Sequence, residues 1–199
     1  MRYPTLLAAA LLVPACAGPE ATGPFTVPVF SHANQRSPAA PDGNFGTAVM
    51  SGAEEVMPAG VVNTSDAVGN AVFQLSGDGA SLSYRLTVAN IANVFQAHIH
   101  AAPAGSNGGI VVWLYPSTAP TPGPLGGGRI DGVIAEGTIT AADLVGALQG
   151  EPLSALISLL SNGGAYVNAH TNDGVAPTNT GPGDYPGGEI RGQIEHRGH

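Results

Sequence analysis

The sequence predicts a mainly antiparallel β-sandwich with one or two short helices between its late strands. Apolar and polar residues alternate with period two in several stretches, and the alternation is unbroken over residues 81–88. The 199 residues include 29 Gly and 17 Pro, which is typical of short strands joined by tight turns. An alternating strand has one buried and one solvated face, as strands of an antiparallel sandwich do.

Residues 1–16 are predicted to be a signal peptide that ends in a lipobox. Met1 and Arg2 give a positive start, and the apolar run that follows is too short to span a bilayer. The segment Val13-Pro14-Ala15-Cys16 resembles a bacterial lipobox, in which the cysteine becomes the lipid-modified first residue. Simple secretion after a small-residue cleavage site is the alternative. The lipoprotein is favoured because Cys16 is the only cysteine in the chain.

The rest of the chain is predicted to be a tether followed by one domain. Residues 17–45 are rich in Pro, Ala, Gly and Ser and show no clean period, which indicates a flexible segment. Residues 46–196 contain the periodic stretches and form the predicted β domain. We therefore expect an exported protein that Cys16 anchors to a membrane at the periplasm or the cell surface, or otherwise a secreted one.

Eight strands and two helices are predicted within the domain. The strands are at residues 47–52, 70–76, 81–88, 94–100, 110–115, 130–138, 165–171 and 188–195. The first helix begins after Thr140, an N-cap residue, and ends at Gly150. The second begins at Pro152 and keeps leucine and isoleucine at helical spacing as far as residue 160.

The composition excludes several classes of function. The chain has no Lys, its six Arg are scattered and its net charge is −8, so nucleic-acid binding is not expected. Membrane contact is expected only through the lipid anchor. The sequence has no Gly-x-Ser-x-Gly, no phosphate-binding loop, no catalytic cysteine and no His-Glu-x-x-His motif. No catalytic residue is assigned from these patterns.

Three histidines are the candidate metal ligands. His98 and His100 share the polar face of strand 94–100, with Cα atoms roughly 7 Å apart. His170 lies on the polar face of strand 165–171. Neutral imidazoles are ligands that copper and zinc both prefer.

Three motifs resemble the CHRD domain, which was first described as a repeat in chordin and is common in bacterial secreted proteins. The motifs are Ala97-His98-Ile99-His100 with Gly108-Gly109-Ile110-Val111-Val112, Tyr166-Val167-Asn168-Ala169-His170-Thr171, and Gly188-Glu189-Ile190-Arg191-Gly192-Gln193-Ile194. The resemblance extends over about residues 46–195. It implies an immunoglobulin-like or Greek-key β-sandwich and an extracellular role as a binding or structural module, with an extracellular protein or a metal as partner.

A second resemblance, to copper-zinc superoxide dismutases, concerns the His-x-His strand. It implies copper rather than zinc at His98, His100 and His170, with Arg191 as a cation beside the metal, and it makes a superoxide dismutase-like oxidoreductase the alternative function. The chain departs from that family because it has no zinc-loop cluster, no disulfide pair and one ligand fewer. A non-enzymatic protein is therefore favoured.

Glu189, Asn168 and Tyr166, with Arg191, are the residues expected around the ligands. An alternative without metal is that the histidines bond Glu189, Asn168 and loop carbonyls and so hold the strands in register. Glu189 and Arg191 are expected to form a solvated ion pair that contributes little to stability.

Overall fold

The computed structural model describes residues 44–116 and 122–196. The predicted signal peptide, Cys16 and almost all of the predicted tether lie outside the described residues. Within the described part of the chain, no helix combines the length and the apolar character needed to cross a membrane.

The domain is mainly β and antiparallel, as predicted, and its strands form one continuous sheet. The strands are β1 (Asn44–Ser51), β2 (Val68–Leu75), β3 (Leu82–Ala92), β4 (Val94–Ala101), β5 (Gly109–Tyr115), β6 (Arg129–Ile139), β7 (Ala165–Thr171), β8 (Ile190–Gln193) and β9 (Glu195–His196). Their order in the sheet is β5-β4-β7-β8-β1-β2-β3-β6, and β9 pairs with β1 beyond the end of β8.

The expected Greek-key or immunoglobulin-like sandwich is wrong in its arrangement, because the single sheet curls into a nearly closed, barrel-like form. The end strands β5 and β6 approach each other, and the hydroxyl of Tyr84 on β3 donates to the carbonyl of Leu114 on β5 at 2.9 Å. Register shifts in the β3–β6 and β4–β5 ladders increase the local bend. Strand alternation could not distinguish the two arrangements, since each has one buried face per strand.

The inner face of the sheet holds the hydrophobic core. On β3 the buried residues alternate with exposed ones as the sequence predicted, and the core extends around the sheet through Phe73, Ile99 and Leu114. Helix α1 (Leu153–Ser161) starts after Pro152, as predicted, and contributes Leu153, Leu156 and Leu160. This apolar stripe is therefore core packing.

The helix predicted between Thr140 and Gly150 is wrong. The segment forms two 3-10 turns, Ala141–Asp143 and Gly146–Leu148, and Leu144 between them is extended and buried. Leu144 bridges Val112, and the next residue donates its backbone N–H to the carbonyl of Val111 at 2.9 Å. Pairing with the edge of β5 therefore replaces the intrahelical hydrogen bonds that the capping signal favoured.

The middle strands β4, β7 and β8 are buried on both faces. Every residue of β7 is buried, and β4 is buried from Ala97 to His100. Segments 102–108 and 172–189 supply hydrogen-bond partners to the polar side chains of these strands. The polar face of the central strands is thus enclosed, and its side chains must find their partners inside the protein.

The contact between β8 and β1 gives a direct test of the closed sheet. A Cβ added at Gly192 would collide with the carbonyl oxygen of Val49, so the two strands would have to separate. We expect Gly192→Ala to lower the free energy of unfolding by about 2 kcal/mol or more, measured by urea unfolding. Gly109→Ala is the matched control, because a Cβ there meets nothing within 4 Å. Equal stability of the two variants would contradict this packing.

Candidate metal centre

The pairing of β4 with β7 brings the three histidines together. In this antiparallel ladder Gln96 lies opposite His170, His98 opposite Asn168 and His100 opposite Tyr166. His98 and His170 are therefore diagonal neighbours on one face, and His98 Nδ1 lies 3.2 Å from His170 Nε2. One ligand atom from each of the three histidines lies within 4.8 Å of the others.

These separations suit one metal ion. An ion with bonds of about 2.0–2.1 Å to tetrahedral ligands holds its nitrogens about 3.3 Å apart. The His98–His170 pair already has this spacing. The widest pair, at 4.8 Å, must close by about 1.5 Å, which small changes in side-chain torsion angles can achieve.

Backbone carbonyls fix which nitrogens carry protons. His100 Nδ1 lies 2.9 Å from the carbonyl oxygen of Gly108, and His170 Nδ1 lies 2.9 Å from that of Pro186. A carbonyl oxygen can only accept, so both Nδ1 atoms donate and both Nε2 atoms keep a lone pair. Metal-binding histidines are commonly oriented in this way. The loop carbonyls named in the alternative without metal are thus present, and they orient the rings for a ligand role.

Burial keeps the three imidazoles neutral. His98 is fully buried, and burial lowers its pKa to about 2, with further lowering from His170 and His100. Burial lowers the pKa of His170 to about 4, although its hydrogen bond to Pro186 acts in the opposite direction. The pKa of His100 is also lowered, chiefly by burial. At neutral pH the ring nitrogens therefore have lone pairs to offer a metal.

Aromatic rings hold the imidazoles in place. Trp113, opposite His98 on β5, meets the His98 ring edge-on at a centroid distance of 4.2 Å. Tyr166 stacks on His100 at 4.9 Å with the ring planes 7° apart. Tyr166 was expected near the ligands, whereas Trp113 was not, because only the β4–β5 register brings Trp113 to this face.

Arg191 is buried, so the expected solvated ion pair with Glu189 is wrong. The guanidinium lies 3.4 Å from the centre of the Tyr166 ring, and only 2% of the residue is exposed. Its Nη atoms donate to three oxygens of the 102–108 loop, those of the Asn107 side chain and the Pro103 and Ser106 carbonyls. Arg191 therefore fixes the loop whose Gly108 carbonyl orients His100.

Glu189 is fully buried and bonds away from the histidines, unlike the expectation for the alternative without metal. It accepts hydrogen bonds from the Ser65 hydroxyl at 2.5 Å, the Thr171 hydroxyl at 2.6 Å and the Gly183 backbone N–H at 2.7 Å. Three donors satisfy the buried carboxylate without an ion pair. Its role is to tie β7 and segment 172–189 to the loop before β2.

Glu55 is a residue of this region that no sequence pattern indicated. It follows the 3-10 turn Gly52–Glu54, and burial raises its pKa to about 7, against the lowering effects of Arg191 and Asn168. A Cβ added at Gly188 would collide with Glu55 Oε1 and lie 2.9 Å from Asn168 Nδ2, so both side chains pack against this glycine. No periodicity distinguishes Glu55 from exposed Glu54 in the sequence.

Comparison with known proteins supports the resemblance found in the sequence. The family model of the CHRD domain matches residues 46–194, which is 149 of the 199 residues. A search of curated proteins and a search of solved structures each found no match.

The buried histidines predict acid-sensitive stability of the metal-free protein. The pKa values of His98 and His170 are about 2 and 4 in the folded state against an ordinary value of 6.5, so the unfolded chain binds about one more proton at pH 6.5 and nearly two more at pH 5. Glu55 has the opposite effect on stability. Its pKa rises from 4.5 to about 7 on folding, so the folded protein binds up to one more proton at this residue than the unfolded chain does. His100 acts in the same direction as the other histidines.

The free energy of unfolding should therefore fall as the pH drops below 6.5, with a slope that reaches about 1.4 kcal/mol per pH unit or more near pH 5. Urea unfolding of metal-free protein at several pH values measures this slope. His170→Gln should reduce the slope by the contribution of about one proton, which is about 1.4 kcal/mol per pH unit. Substitution of the exposed His196 should leave the slope unchanged. Stability that rises toward pH 5 would show that the histidines are not buried as neutral groups.

Proposed function

This chain belongs to the CHRD domain family, and we propose that it is a copper-binding protein that acts outside the cytoplasm as a binding module. The observation that carries the proposal is the convergence of His98, His100 and His170, whose ligand atoms lie within 4.8 Å of one another. Carbonyl partners on two of the rings and the neutral state of all three support a ligand role.

The chemistry of the ligands favours copper. Imidazole nitrogen binds copper, zinc, iron and nickel, and the affinity of a given nitrogen site for divalent ions is greatest for Cu²⁺. The three histidines are the only such group of His, Cys, Asp and Glu within residues 44–116 and 122–196. The group contains no carboxylate, which would favour a harder ion, and no thiolate, which would favour a softer one.

The proposed location follows from the amino-terminal sequence. A lipid on Cys16 would hold the protein at the membrane, and residues 17–45 would separate the domain at residues 46–196 from that surface. In this arrangement the metal site faces the periplasm or the exterior. Any further partner is then an extracellular protein.

The superoxide dismutase-like alternative receives less support from the site. That chemistry needs a cation presented to an anionic substrate near the metal. The guanidinium of Arg191 is instead buried, lies over the Tyr166 ring and bonds to loop oxygens. We therefore propose binding rather than catalysis as the function.

Metal titration tests the proposal. Metal-free protein, residues 17–199, should bind one equivalent of Cu²⁺ and should bind Zn²⁺ at least about tenfold more weakly. His98→Ala, His100→Ala and His170→Ala should each weaken copper binding by about 100-fold or more, because loss of a ligand exceeds the 10–100-fold loss typical of its outer partners. Calorimetry and electron paramagnetic resonance measure the affinity and the nitrogen ligands.

His196→Ala is the matched control, since this histidine is exposed on β9 and bonds only to the carbonyl of Phe45. Its copper affinity should equal that of the unchanged protein. Copper uptake that survives loss of both His100 and His170, or that disappears with His196, would overturn the proposal.

The anchor has its own test. Expressed in a bacterial host that processes lipoproteins, the protein should carry acyl chains on Cys16 and fractionate with membranes, and Cys16→Ser should release it. Mass spectrometry of the mature amino terminus measures the modification. A mature chain that begins after Cys16 would show that the protein is secreted without a lipid.

A further inference from the structure

Polar atoms without a hydrogen-bond partner are concentrated around the three histidines. Among the described residues, six buried side-chain nitrogen or oxygen atoms lack a partner. Four of them belong to this region: His98 Nε2, His100 Nε2, Asn168 Oδ1 and Glu55 Oε1. Buried polar atoms are almost always paired, so such a concentration indicates a place built for a bound group.

All four atoms are hydrogen-bond or metal acceptors. His100 donates from Nδ1 to Gly108, so its Nε2 has a lone pair. In the metal-free protein His98 Nδ1 donates to the lone pair of His170 Nε2, which leaves a lone pair on His98 Nε2, and a metal that binds both nitrogens of this 3.2 Å pair displaces the proton between them. The amide oxygen of Asn168 and an ionised carboxylate only accept. The group that fits this pocket must therefore supply positive charge and hydrogen-bond donors.

Asn168 connects the histidines to Glu55. It lies on β7, directly across from His98 on β4, and it packs with Glu55 against Gly188. Three nitrogens are one ligand fewer than a four-coordinate ion takes. Asn168 interacts with His100 and also with Glu55, so its oxygen and that of Glu55 are the acceptors that follow the histidines.

We infer that the metal keeps an open coordination position toward Asn168 and Glu55, and that this position takes a small neutral ligand that donates hydrogens, such as water or hydrogen peroxide. This inference rests on the proposed function. The metal takes the nitrogen lone pairs, and the ligand's hydrogens are accepted by the oxygens of Asn168 and Glu55. Small anions are disfavoured, because they bring no hydrogens and meet a carboxylate.

The surrounding charges agree with this preference. The Arg191 cation lowers the pKa of Glu55, but its Nη atoms bond to the carbonyls of Pro103 and Ser106. The pKa of Glu55, about 7, leaves its carboxyl mostly ionised at pH 8 in the metal-free protein, and a bound cation ionises it further. Tyr166, the other titratable group beside Glu55, has a raised pKa and is neutral at that pH.

Azide binding to the copper-loaded protein at pH 8 tests the inference. Glu55→Gln removes the negative charge with little change of shape, and it should tighten azide binding by about tenfold. Glu54→Gln, one residue away and exposed, is the matched control and should leave azide affinity unchanged. The azide-to-copper charge-transfer absorption measures the affinity, and copper stoichiometry is measured on the same samples. Glu55→Ala is the second variant and should show the same tightening.

The outcomes separate the two proposals. One bound copper per protein with azide affinity unaffected by Glu55→Gln and Glu55→Ala would overturn the inference and leave the copper site standing. Absence of copper binding by the unchanged protein would overturn the proposed function and the inference with it. Tighter azide binding in both Glu55 variants, and not in Glu54→Gln, supports the open position.

Discussion

The register of β4 against β7 is the constraint on which the site depends. It places His98 diagonal to His170 and sets Tyr166 opposite His100. Because side chains alternate between the faces of a strand, a shift of one residue would move His170 to the apolar face. Ala97, Ile99, Val167 and Ala169 hold the register, since all four are fully buried in the core. The same packing that stabilises the sheet therefore assembles the candidate ligands.

Burial of the polar face of the central strands gives the aligned histidines the properties of metal ligands. Segments 102–108 and 172–189 enclose the polar side of the central strands and present the carbonyls of Gly108 and Pro186 to two histidines. Removal from water keeps the rings neutral, and the carbonyls select the tautomer that leaves Nε2 free to bind. Arg191 and Glu189 do not act on the ligands directly. They hold these covering segments in place through hydrogen bonds to the loops.

Much of the fold and of the candidate site could be predicted from local sequence patterns. The period-two alternation located the strands, and it placed His98, His100 and His170 on polar faces before their contacts were visible. Closure of the sheet could not be predicted, because a barrel-like sheet and a sandwich bury the same alternate residues. The helix prediction failed at Leu144. Its β-bridge to Val112 replaced the helix that the capping signal at Thr140 favoured. Glu55 and Trp113 reach the site only through long-range packing, which leaves no local signature.

The central claim is that three imidazoles bind one ion at the junction of β4 and β7. X-ray absorption spectroscopy of the copper-loaded protein tests it most directly, because outer-shell scattering counts the imidazole rings around the metal. We expect three imidazole nitrogens at about 2.0 Å and one oxygen ligand. A first shell dominated by oxygen, with one imidazole or none, would contradict the site.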